Sequence, residues 1–576
     1  LLDDQRKLTA AGRKILHISQ MGDFSVDNAL QISSDSFAYL KQLLKVSNSF
    51  KQGQQDIYVR PLIVVLFMLN RYRFLTENEF TYLLPLCIDM CSTEYISTKI
   101  QLLREEKVNL DDIISHILLS RANYIEMLEW FLSCDNVDES AICNIGINRK
   151  SSQYDKPYFK VYASLKKVFL NKNTSEKALL ELFKSINALR LSSYWKKAIF
   201  IKGITKARIK KELGKCLIQS RFYDIVTEND FKRVFFETMH LFKAKATLKD
   251  YFDLNRRFLG LGDILLFRDK KVELDIVPKY FFNNIIGKLY KEAFTNSPVL
   301  QNDCKLEDIS PFLILDERIV VRSINDEFQL NISTADEAKE ILEKERYARF
   351  NKLIDEKFSD AALITLLEHF ETRQDEYIRE YITDNAEIPT IFEYVLGIAW
   401  YKISERKGRI LDYIKLSLDA NLLPKSHAIG GEADIVYEYD ETIYYPKHTL
   451  LLEATLADKI NQRRIELEPV SRHLGQHLLK SKNLNSYCVF ATTHLDINVL
   501  SDFRNRKIIP YYETNNTKNK VKGMKITALQ STELKSIIRN NRKYRELYDI
   551  FEEAYEVDLT LLDADEWYQK YIVEKI

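Results

Sequence analysis

The sequence is poor in the residues that interrupt regular structure, with 15 glycines and 11 prolines among 576 residues. That scarcity excludes collagen-like and low-complexity architectures and favours a folded, mostly helical protein. No Cys-x-x-Cys pair occurs. The seven cysteines (Cys87, Cys91, Cys134, Cys143, Cys216, Cys304, Cys488) are scattered and odd in number, which fits reduced thiols in a cytoplasm rather than a disulfide framework. Cys87 and Cys91 lie four apart, but no second pair completes a zinc site, so both read as core residues. The longest apolar run, "PLIVVLFML" at 61–69, falls well short of the roughly 20 residues a membrane-spanning helix needs. No signal peptide is visible, although the sequence starts at Leu1 and an upstream segment would hide one. A net charge of +1 neither requires nor excludes a nucleic-acid partner.

What is present is length enough for three or four domains and an uneven distribution of charge. The run "WKKAIFIKGITKARIKKELGKC" (195–216) carries Lys196, Lys197, Lys202, Lys206, Arg208, Lys210, Lys211 and Lys215 against the single acid Glu212. Such a run is either a solvated helix face or a surface that contacts phosphates. Residues 1–16 read as the end of a hairpin running into a helix, with Thr9 as a cap. Helices are predicted over 35–46 and 60–72, where Pro61 suits a first turn, and over 75–90, where Thr76 precedes Glu79 as in a capping box. This spacing resembles winged-helix modules. A second helix-plus-wing pattern is predicted at 247–275, with strands "DILLFR" and "KVELD" joined at Asp269–Lys271. The plainer alternative is an ordinary α+β subdomain.

Residues 335–383 are dense in alternating charge and read as helices bridging two domains. Beyond Pro389 the character changes. An apolar helix (388–403) leads to strands "ADIVYEY" (433–439), "TLLLEATL" (449–456), "SYCVFAT" (486–492) and "KIIPYYE" (507–513), with a long helix over 459–482. That order is an α/β sheet signature.

Asp434 and Glu453 each place one carboxylate in a short apolar run, on two strands expected to be neighbours. Two carboxylates brought together suit a hard cation such as Mg²⁺, which prefers oxygen ligands and retains waters through which it can hold a phosphate. The spacing alone is common by chance, and strand-edge charges facing solvent would look the same. The surrounding pattern is more specific. "SHAIGGEADIVYEY" (426–439) and "LLLEATLADKINQRRIELEPVSRH" (450–473) resemble the catalytic core of the AlwI-type family of type IIS restriction endonucleases, which includes strand-nicking enzymes. That family carries a His-Ala-x-Gly turn, an Asp on the first strand, Glu-Val-Thr on the second and Glu-Pro-Val-[ST]-Arg-His on the next helix. His427, Ala428 and Gly430, then Asp434, then Glu453–Ala454–Thr455, then Glu468 to His473 match these in order. The resemblance extends to 8–16, 60–69, 255–275 and 391–396, and is loose over 95–240.

The resemblance implies a PD-(D/E)xK nuclease fold with Asp434, Glu453 and the backbone carbonyl of Ala454 as metal ligands. It also implies Glu393 as a third acid on the helix leading into the sheet, and Glu468 and His473 as helix residues lining the site. Arg464 and Arg472 flank Glu468 at four-residue spacing, so either could pair with it. Thr455 stands where a general nuclease pattern has Lys, as in the family itself, which leaves Lys459 and Gln462 as candidates for orienting the water. His473 and His477 are spaced like a zinc pair, but no third ligand is near.

The expectation is therefore a multidomain, mainly α protein with α/β parts. Residues 1–150 and 151–330 would form winged-helix-like DNA-recognition subdomains, 331–384 a helical linker, and 385–576 the nuclease. Lys206, Arg208, Lys210 and Lys211 would contact DNA. The implied activity is Mg²⁺-dependent cleavage of double-stranded DNA, with Mn²⁺ as an alternative ion, at a fixed distance from a short asymmetric sequence. One site cuts one strand, so a second copy or a small nuclease subunit would complete a double-strand break. A nicking enzyme or the large subunit of a heterodimer is the alternative within the class. A winged-helix regulator with an inactive nuclease fold is the alternative outside it, and a nuclease directed at RNA or at repair is a third. No membrane partner is expected.

Overall fold

The computed structural model describes all residues except 22–27, 29, 53–54, 149–150, 315, 428–432 and 514–515. Helices make up 58% of the chain, and the strands lie in small separate sheets. Apolar side chains gather into two large cores, one running from Leu30 to Leu313 and the other from Phe350 to Ile576. The long helix Ala335–Lys357 connects them. Its Leu342 joins a small cluster around Tyr280 and Ile324, while Phe350 and Ile354 enter the second core.

In the first half, Leu2 and Leu8 form an antiparallel bridge, and the Thr9 hydroxyl caps helix Ala10–Met21 by accepting from Gly12 N–H at 3.1 Å. Helices Ser34–Lys45 and Pro61–Tyr72 follow, the latter with Pro61 in its first turn, where no N–H is needed. Thr76 and Glu79 cap each other reciprocally: Glu79 N–H donates to Thr76 Oγ1 at 3.2 Å, and Thr76 N–H donates to Glu79 Oε2 at 2.7 Å. Strands Leu265–Arg268 and Lys271–Leu274 form a hairpin. It turns through Asp269 and Lys270 at positive φ (51° and 57°), the backbone that a tight two-residue turn demands. Its second strand also pairs with Phe74–Thr76. The two helix-plus-wing patterns expected at 60–90 and 247–275 thus share one three-stranded sheet. The strand at 74–76 has only three residues and takes its partner from the distant hairpin.

The basic run 195–216 is not one helix. Ser192–Ile199 and Lys206–Lys211 are separate, and the chain between them passes through Gly203 at φ 75°, a conformation glycine adopts without steric cost.

In the second half, helix Ile388–Ile403 is apolar around nearly its whole circumference and is buried on all sides, as such a pattern requires. It packs against a four-stranded sheet ordered Ile526–Gln530, Tyr487–Thr492, His448–Thr455, Ile435–Tyr439. The first three strands are parallel and the last is antiparallel to its neighbour. Helix Lys459–Ser481 makes the crossover between two of the parallel strands. A two-stranded ribbon, Leu416–Leu418 with Pro424–His427, precedes the sheet.

One expectation is corrected here. The strand expected over 507–513 is limited to Tyr511–Glu513, which pairs with Asn516–Val521 outside the main sheet. Pro510 has no N–H to give a ladder, and Ile508 and Ile509 remain half exposed. The fourth strand is instead Ile526–Gln530. Among the described residues, no helix is long and apolar enough to cross a membrane.

Candidate active site

Strand His448–Thr455 lies between two others and is buried along most of its length, with Leu450, Leu451 and Leu452 at its centre, as strands covered on both faces are. Glu453 follows this apolar stretch as a buried carboxylate. The ladder pairs Ile435 with Leu452, and the next residues outward, Asp434 and Glu453, fall opposite each other. There the regular pairing ends, and Ala454 N–H donates to Asp434 Oδ2 at 2.8 Å. The backbone carbonyl of Asp434 accepts from Lys415 N–H at 2.9 Å, anchoring the same residue to the preceding ribbon.

Helix Lys459–Ser481 follows the Glu453 strand and brings two side chains to this end of the sheet. His473 Nδ1 lies 2.7 Å from Glu453 Oε1, and the Thr455 hydroxyl donates to Glu466 Oε1 at 2.6 Å. Glu466 and His473 are seven residues apart, close to two turns, so they share a face. From the other side, helix Ile388–Ile403 contributes Glu393. This carboxyl is 7% exposed, and its Oε2 has no hydrogen-bond partner among the described residues.

Four acids therefore sit in a largely dry environment. Burial raises Glu393 well above the ordinary carboxylate range, and the charges of Asp434, Glu453 and Glu466 add to the effect. Asp434 is raised by burial and then by Glu453, with the Ala454 N–H partly offsetting this. Glu453 is pushed up to about 8 by burial and by Glu466, against Arg472. Glu466 is raised by burial and lowered in part by the Thr455 hydroxyl. Adjacent carboxylates out of water hold protons or a cation, because each negative charge disfavours the next.

The structure thus brings Glu393, Asp434, Glu453 and His473 to one place, with the Ala454 backbone between the two strand acids. Glu468 stands apart. Its side chain is 71% exposed and accepts from Arg472 Nε at 3.1 Å. Two residues along a helix are about 200° around its axis, so a helix that turns Glu466 inward turns Glu468 outward. Glu466 was missed by the motif, though its seven-residue spacing from His473 would have found it. Lys459 is exposed at the helix start. Gln462 is fully buried and committed to the fold, donating to Thr492 Oγ1 (3.0 Å) and the His494 carbonyl (2.9 Å) and accepting from Asp496 N–H (2.9 Å). His427 Nδ1 pairs with Thr390 Oγ1 at 3.1 Å, whereas Ala428 and Gly430 lie outside the described residues. In the basic run, Lys206, Lys210 and Lys211 are exposed. Arg208 is engaged with Glu212 (3.1 Å) and with the Lys202 carbonyl (2.9 Å).

The sequence pattern of the AlwI restriction endonucleases matches residues 2–543. The chain belongs to the AlwI restriction endonuclease family. It is accordingly a DNA endonuclease, and the AlwI family is typically metal-dependent. No curated protein matches the chain. Among solved structures, it is similar to the small subunit of the heterodimeric restriction endonuclease R.BspD6I. That likeness has 18% identity and a TM-score of 0.26, and covers 36% of this chain and 98% of that one.

The donors at the AlwI-family chain's carboxylate cluster are all hard oxygens, one of them an orphaned buried carboxylate oxygen. Among the described residues, no group of three or more His, Cys, Asp or Glu side chains is placed to hold a metal ion. An open set of one or two carboxylates is what Mg²⁺ takes in phosphate chemistry, with waters and substrate completing its shell.

Proposed function

We propose that the chain is a type IIS restriction endonuclease whose catalytic centre is the Glu393–Asp434–Glu453–Glu466 cluster of a PD-(D/E)xK-like domain over residues 385–576. Residues 1–150 and 151–330, with winged-helix-like elements, read a short asymmetric DNA sequence, and 331–384 link them to the nuclease. The observation that carries this reading is a group of buried and half-buried acids gathered at the end of a mixed sheet, raised first by burial and then by charges within the group.

Asp434, Glu453 and the Ala454 carbonyl would hold Mg²⁺, or Mn²⁺ in its place. When bound, the cation supplies charge neutralisation and Lewis acidity at the scissile phosphate. His473 fixes the orientation of Glu453. Glu466, held by the Thr455 hydroxyl, orients the attacking water and takes its proton. Glu393, whose buried Oε2 has no hydrogen-bond partner among the described residues, retains a proton until the surrounding charge is compensated. Attack in line with the departing 3′ oxygen leaves 5′-phosphate and 3′-hydroxyl ends. Lys206, Lys210 and Lys211 are placed on DNA phosphates; Arg208, tied to its neighbours, supports their helix.

One such centre cuts one strand, so a double-strand break needs a second copy or a separate nuclease subunit, and a strand-specific nicking enzyme is the second reading. The chain acts in the cytoplasm, where its seven thiols stay unpaired. The test is incubation with supercoiled plasmid in Mg²⁺ and in EDTA, followed by sequencing of the product ends. Ends at one fixed distance from a common sequence, formed only with the cation, support the reading. Cutting in EDTA refutes the site, and scattered ends refute the type IIS assignment.

A further inference from the structure

The two apolar cores are separate, and polar contacts join the halves near the catalytic strands. Lys425, on the ribbon strand Pro424–His427, reaches into the first half of the chain. Its Nζ lies 2.6 Å from Asp263 Oδ2, 3.3 Å from Ser36 Oγ and 3.9 Å from Asp35 Oδ2. The Ser36 hydroxyl also donates to Asp263, and the Ser417 hydroxyl, on the paired ribbon strand, donates to Asp35 Oδ2 at 3.2 Å. Asp35, Ser36, Asp263 and Ser417 are all buried, and the Lys425 side chain is 16% exposed.

The same ribbon touches the catalytic residues at its other end. His427, two residues from Lys425, pairs with Thr390, which lies three residues before Glu393 on its helix. Lys415, two residues before Ser417, donates its N–H to the Asp434 carbonyl. Of the other ion pairs between the halves, Arg257 with Asp384 is far more exposed, and exposed pairs contribute little, whereas Arg349 with Asp275, 18% and 20% exposed, is a second enclosed pair away from the ribbon. A buried pair behaves differently. Displacing either partner strands a charge away from water, so the pair tolerates one relative placement of the surfaces that carry it. Contacts between domains are otherwise mobile by default.

We propose that Lys425 and Asp263, with Ser36, Asp35 and Ser417, are positioning residues that pin the catalytic sheet to the DNA-reading half and thereby set where the strand is cut. The proposal rests on the type IIS reading above. None of these residues acts on the phosphate.

The experiment maps product ends at nucleotide resolution on a sequenced plasmid, using the full chain. Wild type is compared with Lys425→Met/Asp263→Asn, with Lys425→Arg and with Asp35→Asn. The double variant removes the Lys425 and Asp263 charges together, an exchange that buried pairs often tolerate, and leaves Asp35 held by the Ser417 hydroxyl. It is expected to bind cognate DNA within about threefold of wild type, since neither substituted side chain is an exposed cation. Its ends should shift by one or more nucleotides and spread over adjacent bonds. Lys425→Arg should retain the single position, and Asp35→Asn should spread the ends less than the double variant. Ends identical to wild type in the double variant overturn the proposal. If that variant does not fold, as judged by its melting transition, Asp35→Asn decides: unshifted ends overturn the proposal and spread ends support it. Wild-type ends that are themselves scattered remove the type IIS reading and this proposal with it.

Discussion

His473 Nδ1 lies 2.7 Å from Glu453 Oε1, so a residue of the crossover helix holds the acid of the central strand. Partners of this kind fix the direction of a ligand's lone pairs, and their loss typically costs about 10- to 100-fold in metal affinity or activity. His473→Ala should therefore raise the Mg²⁺ concentration needed for half-maximal cleavage and lower the maximal rate within that range. His473→Asn, which retains a hydrogen-bonding group, should recover part of the loss. A Mg²⁺ titration of plasmid cleavage distinguishes this from a purely structural role, which would lower the melting temperature without shifting the metal requirement.

Glu466 and Glu468 separate the geometry from the motif. Glu466 is held by the Thr455 hydroxyl beside the other acids, whereas Glu468 is exposed and paired with Arg472. Glu466→Gln should reduce the cleavage rate by about 100-fold or more, on the scale of losing a general acid–base group. Glu468→Gln should change it by less than about threefold, since an exposed pair is worth only about 0–1 kcal/mol. Single-turnover cleavage of both variants checks the pair, and the reverse order would place the site on the opposite face of the helix.

The acids also predict a dependence of stability on pH. Glu453 rises from an ordinary 4.5 to about 8 on folding, so the native state binds more protons than the unfolded one across that interval. Stability from this source is full below about pH 4.5 and is lost as the pH climbs through about 8. Without divalent cations, the melting temperature should fall between about pH 4.5 and 8, and Mg²⁺ should restore more of it at the upper end. Glu453→Gln should flatten the slope. Thermal melts with and without Mg²⁺ provide the check, and equal slopes for wild type and variant would contradict it.

Exposed lysines suit phosphates as point charges, whereas bidentate guanine reading favours arginine. Lys206→Ala with Lys210→Ala should weaken cognate and random DNA binding alike. It should also reduce the dependence of log affinity on log salt by up to about 0.9 for each phosphate no longer neutralised. Gel-shift titrations at two salt concentrations measure this, and unchanged affinity for both DNAs would assign the run to a solvated surface.

How far the sequence could be read differs by element for physical reasons. Helix Ile388–Ile403, the strand carrying Glu453 and the strand that begins just after Asp434 lie where continuous or alternating apolar residues place them, and the Thr76–Glu79 cap forms from its local pattern. The facing of Asp434 and Glu453 follows from strand register, a short-range property. Strand Ile526–Gln530 was not legible, because a short apolar segment running directly into helix Ser531–Arg539 has no turn signal between them. Glu466 was hidden beside a motif centred on Pro469, where linear matching overrides helical period. The Lys425 network joins residues 162 and 389 positions apart, and no local pattern encodes such a contact.

Glu453→Gln tests most directly whether Asp434 and Glu453 bind the cation through which the phosphodiester bond is cut. Gln keeps the size of Glu and removes its charge, so the fold and cognate DNA binding should persist, the latter measured by gel shift without metal. Supercoiled-plasmid cleavage in Mg²⁺ should fall by roughly 1,000-fold or more, equivalent to about 4 kcal/mol of transition-state stabilisation. A folded, DNA-binding variant that cuts at close to the wild-type rate would contradict the account.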